Sequence, residues 1–77
     1  MSDKIRHQIV ERIKILKDQK GWSWEKLAYS AGISKSGMCQ IKNEQNSPTL
    51  ITLLKICVAL DITPAEFFNF EINTNDL

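Results

Sequence analysis

The chain has 77 residues, of which 43% are hydrophobic and 25% charged, the composition of one small globular domain and not of a disordered tail, a fibre or a two-domain protein. A domain this short buries roughly 60% of its unfolded surface, which leaves little chain for long loops or a deep pocket and disfavours an enzyme. The net charge of +1 hides a polarity: residues 1–55 hold all ten basic side chains against five acidic ones, a balance of +5, and residues 56–77 hold four acids and no base. That polarity fits a face approaching a polyanion, and it equally fits ordinary surface charge.

Ile5, Ile9, Ile13 and Leu16 recur at intervals of four, four and three, which predicts a first helix running to Gly21. Its charged sequence is unlike a signal peptide and no apolar run in the chain nears the ~18 residues of a membrane span, so a cytoplasmic protein is expected. Ser23 then reads as the N-cap of a second helix lasting to about Ala31, with Glu25 in its first turn and Trp22 stapled to Leu27. The same device recurs with Ser34 as cap and Ile33 against Met38, and with Thr63 as cap and Ile62 against Phe67. Before the last of these, "SPTLITLLKICVAL" predicts a buried fourth helix starting at or just after Pro48, with Leu50, Leu53, Leu54, Cys57 and Leu60 on one face. The segment "TPAE" adds Pro64 at the first helical position and Glu66 at the third, a capping box that opens a short fifth helix. Residues 43–47, "NEQNS", form the one clear loop, and the fold class is all-α with about five helices in a single domain, residues 1–77, whose core spans about 5–69 before a 70–77 tail.

The second and third helices are each about two turns long and are joined by few residues around Gly32, the arrangement of a helix-turn-helix. Gly32 permits a left-handed backbone, and Ala28 is small enough for the helices to cross closely. With Leu27, Ala31, Ile33, Met38 and Ile41 inward, Lys35, Ser36, Cys39, Gln40 and Asn43 remain on the outer side of the third helix. Such a polar face suits base edges in a major groove. Cys39 and Cys57 stand 18 apart with no close pair, and His7 is the only histidine. A zinc site lacks its ligands and no metal or cofactor is expected. Cys57 reads as a core residue, while Cys39 is a free thiol with a redox switch as the sharper alternative.

On the succession "GWSWEKLAYSAGIS", "SGMCQIKNEQNSPTLITLLKICVAL" and "DITPAEFF", the chain resembles the Cro and phage-repressor type helix-turn-helix family, also called the XRE family. Ala28, Gly32, Ile41, Pro48, Leu53, Leu60 and the Thr63 cap all fall at the family's spacing, and the likeness covers residues 9–69. The resemblance implies a five-helix, lambda-repressor-like domain that binds double-stranded DNA as a transcriptional regulator, a repressor on a palindromic operator. It implies base contacts from Lys35, Ser36 and Gln40, with Ser34 at the tip of the third helix. Lys35 can bond guanine O6 and N7, and Gln40 can grip adenine N6 and N7. Ser23, Trp24, Lys42, Asn43, Gln45 and Asn46 would hold phosphates.

Several positions depart from the family. Trp24 stands where a phosphate-binding Gln is common; its indole N–H can donate one bond, or the ring can simply pack. Lys42 replaces a Glu that pairs with a base on the first helix, where this chain has Lys17, so the two like charges conflict unless Lys42 turns toward DNA. Glu44 puts a negative charge in a loop expected near phosphates, and Gly37 weakens the third helix unless the backbone comes close to DNA there. A homodimer is expected, with Phe67, Phe68, Phe70 and Ile72 as its interface, unless Phe67 and a neighbour only close the monomer core. The rival function is an antitoxin or regulatory module that uses the same fold to bind a protein. An enzyme has little support, since His7 has no visible nucleophile partner.

Overall fold

Helix α1 (Asp3–Gln19) is held by a stripe wider than its apolar pattern, because Val10 and Lys17 are enclosed together with Ile5, Ile9, Ile13 and Leu16. It stops where expected: Gly21 adopts φ 71°, and the Trp22 N–H donates back to the Lys17 carbonyl at 3.0 Å. The computed structural model describes residues 3–75 and Leu77, so Met1, Ser2 and Asp76 of the expected 1–77 domain lie outside the described residues.

Four more helices follow among the described residues, with no strand: α2 (Trp24–Ala31), α3 (Lys35–Lys42), α4 (Leu50–Ala59) and α5 (Pro64–Phe67). Each begins at a hydroxyl that accepts a first-turn N–H. Ser23 takes that of Lys26 at 3.0 Å, Ser34 that of Gly37 at 3.0 Å, Thr49 that of Thr52 at 3.1 Å and Thr63 that of Glu66 at 3.1 Å. Each such cap is worth about 1 kcal/mol. At α5 the Glu66 carboxylate accepts the Thr63 N–H at 3.2 Å, completing the expected capping box. Trp22, Ile33 and Ile62 lie half-buried before their caps, and Leu27, Met38 and Phe67 are enclosed one turn later, as hydrophobic staples require.

α4 differs from its expected face. It buries Leu53, Ile56 and Cys57, with Leu60 at its cap, whereas Leu50 is 67% exposed and Leu54 is only half-buried. The segment is apolar at nearly every position and supports more than one stripe; packing against α2 and α5 selects the one that holds Ile56.

After α5 the chain turns back along α1, and Arg12 makes the join. Its Nε donates to the Phe67 carbonyl at 2.8 Å and its Nη2 to the Glu66 carbonyl at 2.7 Å, while the guanidinium lies over the Phe70 ring at 5.2 Å. Basic side chains are favoured at the last carbonyls of a helix. Gln8 then pairs with Asn73 as a strand would, its amide donating to the Asn73 carbonyl at 3.0 Å and accepting the Asn73 N–H at 2.7 Å. Phe70 and Ile72 are thereby laid against the core. Of the expected intersubunit cluster, Phe67 is the correction: it is 0% exposed and belongs to the monomer core, while Phe70 and Ile72 are half-buried and Phe68, at 43%, keeps much of its ring in solvent.

Replacing Arg12 by Ala removes two charge-assisted hydrogen bonds and a ring contact, and should cost about 2–3 kcal/mol of stability. Urea denaturation should show a lower midpoint at unchanged slope. Arg12→Lys should recover only part of the loss, because an ammonium lacks the planar, pre-organised fork that meets both carbonyls while lying over the Phe70 ring.

Candidate nucleic-acid interface

The turn between α2 and α3 is set by Gly32, at φ 69° and ψ 33°, with the following Ile33 N–H bonded to the Ala28 carbonyl at 2.9 Å. A Cβ would meet no atom there, so backbone conformation alone selects glycine. Met38 and Ile41 are buried and fix α3 from behind, beside Leu27, Ala28 and Ala31 of α2. As a result Lys35, Ser36, Cys39, Gln40 and Asn43 lie exposed on the opposite face, as the pattern predicts. Ser34 is exposed at the tip, its oxygen already accepting the cap bond.

Gly37 has a reason within the domain itself. A Cβ at this position would stand 2.9 Å from the Ser34 hydroxyl oxygen and 3.5 Å from Ile33 Cγ2. A side chain at position 37 therefore pushes the capping hydroxyl out of place.

The expected conflict between Lys17 and Lys42 is relieved by turning the first inward. Lys17, 6% exposed, donates to the Asp18 carboxylate at 2.7 Å and to the Trp22 carbonyl at 3.3 Å, and its ammonium lies 4.9 Å from the centre of the Trp24 ring. The Lys17 hydrogen bond in turn holds the Asp18 carboxyl below its ordinary pKa. Trp24 is half-buried against the core and forms one wall of the Lys17 site, while Lys42 is exposed.

Glu44 is likewise turned away from the polar face of α3. It sits at φ 59°; its carboxylate accepts from His7 Nδ1 at 2.8 Å, and its carbonyl accepts from Arg6 at 3.0 Å. Arg6 also reaches the Ser47 hydroxyl at 3.1 Å, so the start of α1 clamps both ends of the loop. The His7 pKa is raised above 6.5, first by its hydrogen bond to Glu44 and then by that carboxylate's charge. On the α3 side of the loop, Asn46 donates to the Gln40 side-chain carbonyl at 3.0 Å and Asn43 donates to the Cys39 sulfur at 3.3 Å. Cys57 is buried, and burial raises its thiol pKa.

This geometry, a capped pair of short helices about a left-handed glycine with one polar face outward, has a counterpart among known domains. The family model of the Cro/C1-type helix-turn-helix DNA-binding domain matches residues 12–72. The chain belongs to this family. It is 39% identical over 57 residues to the HTH-type transcriptional regulator SutR of Escherichia coli, a match covering 74% of this chain and 32% of SutR. It is 29% identical over 56 residues to the antitoxin HipB of the same organism, covering 73% of this chain and 64% of HipB. The crystal structure of the restriction-modification controller protein C.AhdI from Aeromonas hydrophila superposes with a TM-score of 0.73 at 32% identity, covering 88% of this chain and 100% of that one. The chain spans less than two-thirds of the length of either curated relative.

In this Cro/C1-type domain, no sequence motif marks the parts that Arg6, His7 and Tyr29 play. Arg6 and His7 act across 38 and 37 positions, a separation that no local pattern encodes. Tyr29, 84% exposed, lines an open cleft of about 400 Å³ with Trp24, Met38, Cys39 and Lys42. Its position was readable, since a helix that buries Leu27, Ala28 and Ala31 must point residue 29 outward.

Two measurements test these local assignments. G37A exchanges about 1 kcal/mol of helix propensity against about 1 kcal/mol of cap, so net stability should stay near wild type. In a double-mutant cycle, S34A should destabilise the wild type yet cost almost nothing in the G37A background. For the loop, a raised His7 pKa means that the pair stabilises the fold fully below the ordinary value of 6.5 and that this contribution fades as pH rises through the folded value above it. By NMR, E44Q should return the His7 titration to its ordinary range, and its stability deficit should shrink over that same rise in pH.

Proposed function

We propose that this Cro/C1-type domain is a transcriptional regulator, a repressor that acts in the cytoplasm as a homodimer on a palindromic operator. The observation that carries this reading is the division of α3: Met38 and Ile41 lock one side to the core, and the other side presents only exposed hydrogen-bonding groups. A reader fixed in this way loses little conformational freedom on binding. Lys35, Ser36 and Gln40 would meet base edges, with Ser34 leading. Ser23, Trp24, Lys42, Asn43 and Gln45 would position the phosphates. Pairing of Glu44 with His7 and Arg6 supports the loop's approach to DNA, since it turns the carboxylate toward α1.

The partner half-site would lie about 34 Å away, one helical turn along the duplex. Phe68 supports a second copy docking near the end of α5, together with the outer edges of Phe70 and Ile72. A protein-binding reading has its own support, because Ile51 and Val58 of α4 are 62% and 79% exposed and the antitoxin HipB is among the relatives.

Selection from a randomised duplex library at moderate salt tests the proposal. The wild type should recover a palindrome, and K35A should relax one position of each half-site by roughly tenfold or more. K42A should weaken all sequences alike and lower the salt slope by about one. Weak, sequence-blind binding unaffected by K35A would sink the DNA-reading proposal and favour a protein partner.

A further inference from the structure

Asn46 stands in the loop after α3, where the resemblance implies a phosphate contact, yet its amide is already directed elsewhere. Asn46 Nδ2 donates to Gln40 Oε1 at 3.0 Å. The backbone brings the two together: the Gln45 N–H returns to the Gln40 carbonyl at 2.9 Å and the Glu44 N–H to the Ile41 carbonyl at 3.0 Å. Arg6 holds the far side of the same loop through the Glu44 carbonyl and the Ser47 hydroxyl. Asn46 is thus delivered to Gln40 by a loop fixed at both ends.

An unrestrained glutamine offers a donor and an acceptor side by side, the complement of adenine N7 and N6–H2. In this domain the acceptor is turned to Asn46. The other half of the planar amide, Nε2 with two hydrogens, makes no hydrogen bond among the described residues. A pair of donors fits guanine, whose N7 and O6 both accept, and sets donor against donor at adenine N6.

We propose that Asn46 is a positioning residue that commits Gln40 to guanine, where an unrestrained glutamine takes adenine. The assignment rests on the proposed reading of bases by α3, and it moves Asn46 from phosphate binding to base choice. Both side chains are exposed, so the bias is the worth of one ordinary hydrogen bond, roughly threefold to tenfold in base preference.

The test is duplex selection with the full chain as wild type, Q40A, N46A and N46D. The base position whose preference Q40A abolishes is the one Gln40 reads. Wild type should prefer guanine over adenine there by roughly threefold to tenfold, and N46A should level that preference or shift it to adenine while leaving every other position unchanged. N46D should invert it, because a carboxylate accepts from Gln40 Nε2 and turns Oε1 outward toward a donor such as adenine N6. A uniform loss of affinity with a reduced salt slope in N46A would restore the phosphate role and overturn the proposal, as would a wild-type preference for adenine. If the wild type yields no motif at all, the reading of α3 falls and this assignment falls with it, a result separable from a motif that is recovered but indifferent to Asn46.

Discussion

An eight-residue helix cannot hold itself in water, since isolated helices shorter than about 12 residues are marginal even with favourable sequences. α2 and α3 have 8 residues each, so both exist because of what they are attached to. Ser23 and Ser34 satisfy first-turn N–H groups, Gly32 turns the chain so that α2 ends with its carbonyls bonded, and Met38 and Ile41 press α3 onto the core. The polar outer face inherits its rigidity from the buried inner one. Loosening Met38 or Ile41 would therefore disturb the geometry of Lys35 and Gln40 with no change to either.

Charge is handled by the same economy of contacts. A buried ammonium is costly unless it is paired and hydrogen-bonded, and Lys17 has a carboxylate, a carbonyl and an aromatic face. Two departures from the family pattern are connected through this site. Lys42, in place of the common Glu, removes the usual partner of the α1 base, and Trp24, in place of the common Gln, supplies a ring over which Lys17 can lie. Each substitution taken alone looks unfavourable. Together they leave Lys17 inside with partners and Lys42 outside with water, which adds a cation to the polar face of α3.

The helix starts were legible because capping is local chemistry: a hydroxyl, a staple and a residue three places on are all visible within one turn of sequence. Ser23, Ser34 and Thr63 stand out in that way, whereas the Thr49 cap lies beside the more conspicuous Pro48. The outer face of α3 was legible because Met38 and Ile41 fix its phase. The buried face of α4 was not, since a nearly continuous apolar run leaves its phase to the neighbouring helices. Nor was the fate of the aromatic tail, which depends on Arg12 meeting carbonyls 54 and 55 positions away and on Gln8 meeting Asn73 across 65. The exposed face of α3 does not by itself assign a role to each residue, because an exposed Lys or Gln looks the same in sequence whether it reads a base or only meets water.

α1 contributes nothing to the polar face of α3 and yet governs the loop that follows it. Four of its residues divide the work: Arg6 and His7 hold the loop at Glu44, and Gln8 and Arg12 hold the returning chain between Glu66 and Asn73. Loop and tail are thus fixed on adjacent positions of one helix, and both anchors depend on the phase of that helix. The groups that hold the returning chain and the core, Arg12 and the enclosed Phe67, are separate from the exposed polar groups of α3. Exposed substitutions away from caps and cores typically move stability by less than about 0.5 kcal/mol. Lys35, Ser36 and Gln40 can therefore vary widely in chemistry while the same scaffold keeps presenting them.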